Sequence, residues 1–153
     1  VKLEGGEWLA DSVHLLTERG IPVCGHVGLT PQSVHKLGGY KVQGKDDHAA
    51  DQMIKEALIL EEAGADLMVV ECVPSSLGDD LSAALNIPVI GIGAGPGTDG
   101  QVLVLQDMLG ISQRLPKFSK DFLKESNSVQ DAITAFGNEV RSGTFPAPEH
   151  SFK

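Results

Sequence analysis

The chain has 153 residues, 41% of them apolar, with 18 glycines and a formal net charge of −9. That length suits one domain with a substantial core. Charges are interspersed without a basic run, which argues against a nucleic-acid or anionic-membrane surface, and no apolar stretch reaches the roughly 20 residues that span a bilayer.

Val1-Lys-Leu-Glu4 reads as a strand closed by Gly5-Gly6, with no initiator Met before it, so the chain is expected to begin inside a fold. Glu7–Arg19 is expected as a helix in which Trp8, Leu9, Val13, Leu15 and Leu16 form a broad apolar stripe. Gly20 ends it, and Ile21–Val27 is the next predicted strand. Thr30-Pro31 has the form of an N-cap followed by Pro at the first helical position, predicting a short helix over Pro31–Leu37. Gly38–Lys45 is a glycine-punctuated loop that suits either a mobile cover or a plain connector.

Asp46 or Asp47 can cap a long helix that runs to Ala63, with Gly64 in the capping position beyond it. Strand Leu67–Cys72, a helix near Ser76–Leu85 and strand Pro88–Ile92 follow. Gln101–Leu105 reads as a fifth strand. Further helices are expected near Ser119–Glu125 and Val129–Arg141, and the Pro-broken end, about residues 142–153, as irregular. Strands alternating with helices on short loops predict a parallel sheet with right-handed crossovers. Five strands fit an open doubly wound sheet or part of an eight-stranded barrel, and a whole barrel takes about 250 residues. Cys24 and Cys72 both fall in predicted strands, which reads as reduced, buried side chains in a reducing, cytoplasmic setting rather than a disulfide.

Glu71 is the first candidate for chemistry. It ends Leu67-Met-Val-Val-Glu71, an apolar run with no structural need for an acid, at the strand's carboxyl end, where α/β folds bind ligands. Lys2 and Glu4 lie two apart on a strand and project from one face. They are either a charged pair pointing into a site or a surface ion pair on an edge strand. His26, in Gly25-His-Val-Gly28, is by type more often a hydrogen-bonded core residue than a catalyst. His14, His35 and His48 read as solvated, and His150 carries no assignment. Gly91-Ile-Gly-Ala-Gly-Pro-Gly97 fits neither common phosphate-loop spacing, so close approach of a ligand or neighbouring backbone is the better account. Asp99 and Asp107 read as loop and strand-flanking acids.

Several ordered motifs together resemble the ketopantoate hydroxymethyltransferase family. They are Val1-Lys-Leu-Glu-Gly-Gly6, Pro22-Val-Cys-Gly-His-Val-Gly-Leu-Thr-Pro-Gln-Ser33, Gly38-Gly-Tyr-Lys-Val-Gln-Gly44, Val70-Glu-Cys-Val-Pro74 and Ile90-Gly-Ile-Gly-Ala-Gly95. Pro116-Lys-Phe118 and Pro148-Glu-His-Ser-Phe152 are similar to the family's C-terminal signatures. The resemblance implies a (β/α)8 TIM barrel of the phosphoenolpyruvate mutase and isocitrate lyase type, of which residues 1–153 supply about strands four to eight.

By the same resemblance Glu4 is a Mg²⁺-associated acid, Lys2 and His26 contact the keto-acid substrate, and Glu71 is the general base. The family's two metal-site aspartates lie on earlier strands, and neither motif is present in this chain. The implied reaction moves a hydroxymethyl group from 5,10-methylenetetrahydrofolate to 3-methyl-2-oxobutanoate, through an enolate stabilised by the metal, giving 2-dehydropantoate for pantothenate synthesis. The implied partners are the missing N-terminal part of the barrel and further copies in a homo-oligomer, the family's decamer. The isolated segment is then expected to be inactive, with an unpaired sheet edge. Two alternatives are a carbon–carbon lyase of the isocitrate-lyase type and a non-catalytic oligomerisation fragment.

Overall fold

A computed structural model describes all residues from 1 to 153. Five strands run parallel in chain order: β1 (Lys2–Glu4), β2 (Cys24–Gly28), β3 (Leu67–Glu71), β4 (Val89–Ile92) and β5 (Gly100–Gln101). Each strand neighbours its predecessor without reversal. A doubly wound sheet requires a reversal of strand order, so that alternative does not describe this sheet. Such a singly wound run is how part of a (β/α)8 barrel is built.

The intervening helices are α1 (Ala10–Thr17), α2 (Asp47–Glu62) and α3 (Ser75–Ala84), with α4 (Leu105–Met108) and α5 (Val129–Ser142) after the sheet. In α2 the Asp46 carboxylate accepts the Ala49 N–H at 2.9 Å, satisfying one of the free donors of the first turn. Met53, Ala57 and Leu60, spaced four and three apart, are its buried stripe. The helix stops because Gly64 takes φ +106°, a conformation open to a residue without Cβ.

The side chains of one sheet face, Val27, Met68, Val70 and Val89, pack into a single cluster with Leu9, Val13, Met53, Leu60, Leu77 and Leu81 from the helical layer. The alternate positions Cys24, Leu67, Val69 and Ile90 are only half-buried, so the second face is partly open. A separate cluster joins α4, α5 and the C-terminal segment around Phe122, Phe136 and Phe145, whose rings meet edge to face at 5.4–5.8 Å. No helix is long and apolar enough to cross a membrane.

Several expectations need correction. The Glu7–Arg19 helix opens as a 3-10 turn over Glu7–Leu9, and its stripe is narrower than expected because Trp8 is 73% and Leu15 52% exposed. Pro31–Leu37 holds one 3-10 turn, Pro31–Ser33, and the Thr30 side chain makes no capping bond. The fifth strand is Gly100–Gln101 alone, since the chain turns helical at Leu105. Ser119–Glu125 is irregular, and the otherwise irregular tail holds a 3-10 turn at Pro148–His150. Cys72 lies just past β3 rather than in it.

Leu60 is fully buried on α2, whereas Leu58 is 38% exposed. Leu60→Ala is expected to cost about 2–5 kcal/mol by urea unfolding, with Leu58→Ala within roughly 0.5 kcal/mol of the parent protein.

Candidate functional site

The pairing of β1, β2 and β3 brings the sequence candidates together. Glu4 stands opposite His26, and Gly28, two residues on, stands opposite Glu71. Period-2 alternation puts Lys2, Glu4, His26 and Glu71 on the partly open face. The Lys2 Nζ donates to Glu4 Oε1 at 2.8 Å and lies 3.2 Å from His26 Nδ1. His26 Nδ1 is 3.7 Å from Glu4 Oε1, and His26 Nε2 is 3.2 Å from Glu71 Oε2. An ammonium has only donors, so the Lys2 contact gives the acceptor role to Nδ1 and leaves the ring N–H on Nε2, facing Glu71.

The Lys2 side chain is 46% exposed on the first strand, as in a surface pair, but the Glu4 side chain is only 5% exposed and lies against His26. His26 is 2% exposed, yet its Nε2 has no hydrogen-bond partner of proper geometry. A satisfied core histidine would have one. The two acids differ in setting, with the Glu71 side chain 12% exposed.

Glu4 is held as a carboxylate. Burial pushes its carboxyl up, but the hydrogen bond from Lys2, the Gln32 backbone N–H at 3.0 Å and the Lys2 charge outweigh burial and leave it below its ordinary value. The Gln32 contact was not legible in the sequence, because it depends on how the Thr30-Pro31 turn folds back over β1. One ionised carboxylate is a hard oxygen donor, and no three His, Cys, Asp or Glu side chains are arranged to hold a metal ion together. That set fits Mg²⁺, which keeps several waters and takes one or two carboxylates plus substrate oxygens. It does not fit a closed site of the structural zinc kind.

Glycines make room for the cluster. A Cβ on Gly28, at φ +90°, would lie 2.3 Å from the Glu71 carbonyl oxygen. The Gly91–Gly97 loop behaves as close approach requires, with a Cβ on Gly93 falling 2.7 Å from the Phe118 ring. Asp99 and Asp107 stay outside the cluster: Asp99 accepts the Val89 N–H at 2.8 Å, and Asp107 accepts the Ser112 hydroxyl at 2.6 Å.

Of the four gathered residues, only Glu71 lines a large cavity, of about 760 Å³, between the strand ends and the segments around Tyr40, Arg114–Phe118 and Phe152. Lys2, Glu4 and His26 do not line it, and reach it through the His26–Glu71 contact. A second cavity of about 450 Å³, beside Gly5, Trp8, Lys36 and His48, contains none of the four. Sequence reasoning missed Tyr40, Arg114, Lys117 and Phe152 as neighbours of Glu71, although all but Arg114 lie within the motifs that carried the family resemblance.

A parallel sheet that collects a lysine, a histidine and two glutamates toward its carboxyl edge has its polar cluster where α/β folds bind their ligands. The model of the ketopantoate hydroxymethyltransferase family matches residues 1–148, and the chain belongs to that family. It is 59% identical over 153 residues to a 3-methyl-2-oxobutanoate hydroxymethyltransferase of Shewanella amazonensis, covering 99% of this chain and 58% of that relative. Proteins of the same name from Marinomonas sp. and Saccharophagus degradans are 60% and 57% identical, over 100% and 99% of this chain and 56% of each relative. The chain therefore spans between half and two thirds of the length of these relatives.

Cys72 adjoins Glu71, and burial, with the Glu71 charge adding to it and Lys45 opposing, pushes its thiol from an ordinary 9.0 up to about 11. A raised thiol pKa contributes stability that is complete below the ordinary value and is lost as pH climbs through the folded one. Between pH 9 and 11 the protein is expected to lose more stability than its Cys72→Ala variant, measured by urea midpoints. Equal losses would show that the thiol stays protonated no longer than in the unfolded chain.

Proposed function

We propose that the complete protein, in which this chain supplies strands four to eight of a (β/α)8 barrel, catalyses transfer of a hydroxymethyl group from 5,10-methylenetetrahydrofolate to 3-methyl-2-oxobutanoate, the isolated chain being inactive. The observation that carries this reading is the convergence of Lys2, Glu4 and Glu71 on the buried ring of His26.

Carbon–carbon bond formation at C3 of the keto acid begins with removal of the C3 proton. Glu71 takes that proton, and its position at the cavity wall leaves it accessible to a ligand. Positioned general bases contribute roughly 10²–10⁴-fold to such steps. His26 Nε2 lies against the buried side of the Glu71 carboxylate at 3.2 Å and limits where it can turn. Lys2 pairs with the substrate carboxylate, an interaction that strengthens where water is excluded. Glu4, kept ionised by Lys2 and the Gln32 N–H, would hold the divalent cation. When bound, that cation supplies Lewis-acid polarisation of the keto carbonyl. Water cleaves both carbon–nitrogen bonds of the donor's methylene carbon, its two protons going to the two nitrogens and its oxygen staying on the carbon as a carbonyl. The C3 electron pair adds to that carbon, and the proton taken by Glu71 returns to the oxygen as the product hydroxyl.

In the complete protein, Glu71→Gln is expected to slow deuterium exchange at C3 of the keto acid by roughly 10²-fold or more while keto-acid binding persists. Exchange at the parent rate, followed by NMR, would remove Glu71 from the base role. Glu4→Ala is expected to raise the Mg²⁺ concentration needed for half-maximal exchange by at least about tenfold. An unchanged Mg²⁺ titration would contradict the assignment of Glu4.

A further inference from the structure

The cavity of about 450 Å³ takes no part in the chemistry above. Val27 and Met53 in its wall belong to the core cluster between the sheet and the helices, so it opens on the helical side. Lys2, Glu4, His26 and Glu71 project from the other face. Its size falls inside the range of about 300–1,000 Å³ that holds small-molecule ligands.

Two consecutive glycines bring an aromatic ring and a carboxylate together in this wall. A Cβ on Gly5 would fall 2.4 Å from the Trp8 ring, and a Cβ on Gly6 would fall 2.1 Å from Glu56 Oε2. Adjacent Cα atoms lie about 3.8 Å apart, so the indole and the carboxylate flank one short stretch of backbone. Glu56 is half-buried and accepts one hydrogen bond, from Gln52 Nε2 at 3.2 Å. It has no Lys, Arg or His within ion-pair distance. An indole ring beside an unpaired carboxylate is the combination that recognises an organic ammonium.

Two further groups in the wall are unmatched. Lys36 has no acid within ion-pair distance. Thr30 is 7% exposed and its side chain makes no capping bond, which leaves a buried hydroxyl free at the cavity. A plain amine would leave both groups unused and place its charge in one cavity with the Lys36 ammonium. A ligand that also carries a carboxylate engages all four.

We propose that this cavity binds an apolar amino acid as its zwitterion. The ammonium sits between the Trp8 ring and the Glu56 carboxylate, the carboxylate meets Lys36 and the Thr30 hydroxyl, and the side chain lies on Leu37 and Met53. The site stands apart from the transfer reaction proposed above, since none of the four clustered residues lines it.

The test measures calorimetric binding of three probes to the complete protein: L-phenylalanine, 2-phenylethylamine without the carboxylate, and 3-phenylpropionate without the ammonium. L-Phenylalanine is expected to bind with a Kd of about 1 mM or tighter and to exceed each of the others. Glu56→Gln keeps the shape and the Gln52 neighbour. It is expected to weaken L-phenylalanine and 2-phenylethylamine by roughly tenfold and to leave 3-phenylpropionate within about twofold. Lys36→Met is expected to weaken L-phenylalanine by roughly twofold to fivefold and to spare 2-phenylethylamine. Trp8→Leu, at a residue 73% exposed and so outside the core, is expected to weaken the two ammonium probes more than 3-phenylpropionate.

Equal affinity for L-phenylalanine and 3-phenylpropionate overturns the proposal, as does a Glu56→Gln protein that binds all three probes as the parent does. Failure of L-phenylalanine to bind has the same result. Saturating 3-methyl-2-oxobutanoate is expected to leave the L-phenylalanine Kd unchanged, and displacement by that keto acid would assign the amino acid to the catalytic face instead.

Discussion

The organisation of the site depends on one buried imidazole set between two carboxylates. His26 occupies the central strand of three, so the register that pairs it with Glu4 on one side and Gly28 with Glu71 on the other decides what it touches. A polar ring at 2% exposure is costly unless its nitrogens are engaged. Lys2 engages Nδ1, while Nε2 faces Glu71 at 3.2 Å without full hydrogen-bond geometry. That incomplete satisfaction is informative, because low local dielectric makes a half-made polar contact expensive. His26 sits mid-strand in β2, and its unmatched Nε2 faces Glu71 at the end of β3.

How far the sequence could be read follows from the range of the interactions. Glu71 was legible because an acid at the end of an apolar run is a local anomaly. Asp46 and Gly64 were legible because caps work within one helical turn. The Gln101–Leu105 run misled because short apolar runs do not distinguish strand from helix, and Leu103 there serves packing against the Phe122 and Phe118 clusters instead. Trp8 matched the helical stripe in spacing alone, since the 3-10 opening of that segment rotates it outward. The four-residue cluster needed strand register, and the grouping of Glu71 with Arg114 and Phe152 needed segments some 40 and 80 positions apart to meet. No local pattern encodes either.

The partly open face of the sheet bears on the chemistry directly. All-parallel sheets are normally covered on both faces. Here the helical layer buries one face fully, while Cys24, Leu67, Val69 and Ile90 on the other remain half-exposed. Lys2, Glu4, His26 and Glu71 project from that same face. Any element that covers it therefore also excludes water from the site, and strengthens the Lys2 pairing that 46% exposure now leaves screened. Closure of the sheet and electrostatic assembly of the site are one requirement.

The strand end that presents Glu71 is over-determined in the same sense. Cys72, the next residue, takes φ +53°, a left-handed conformation uncommon for a side chain other than Gly, Asn or Asp. Such a residue costs on the order of 1–3 kcal/mol and persists only where its surroundings hold it. Its N–H donates to the Ile92 carbonyl at 2.9 Å, its carbonyl accepts the Gln43 N–H at 2.9 Å, and its thiol is buried beside Leu29, Ile92 and Phe118. Both backbone groups and the side chain are thus committed at once, from β4, from the glycine-rich loop and from the cavity wall. The strain fixes the peptide that follows Glu71, so the carboxylate is aimed by three separate segments rather than by the strand alone. Glycine at this position would relieve the strain but give up the buried thiol's packing, which is one of those three constraints.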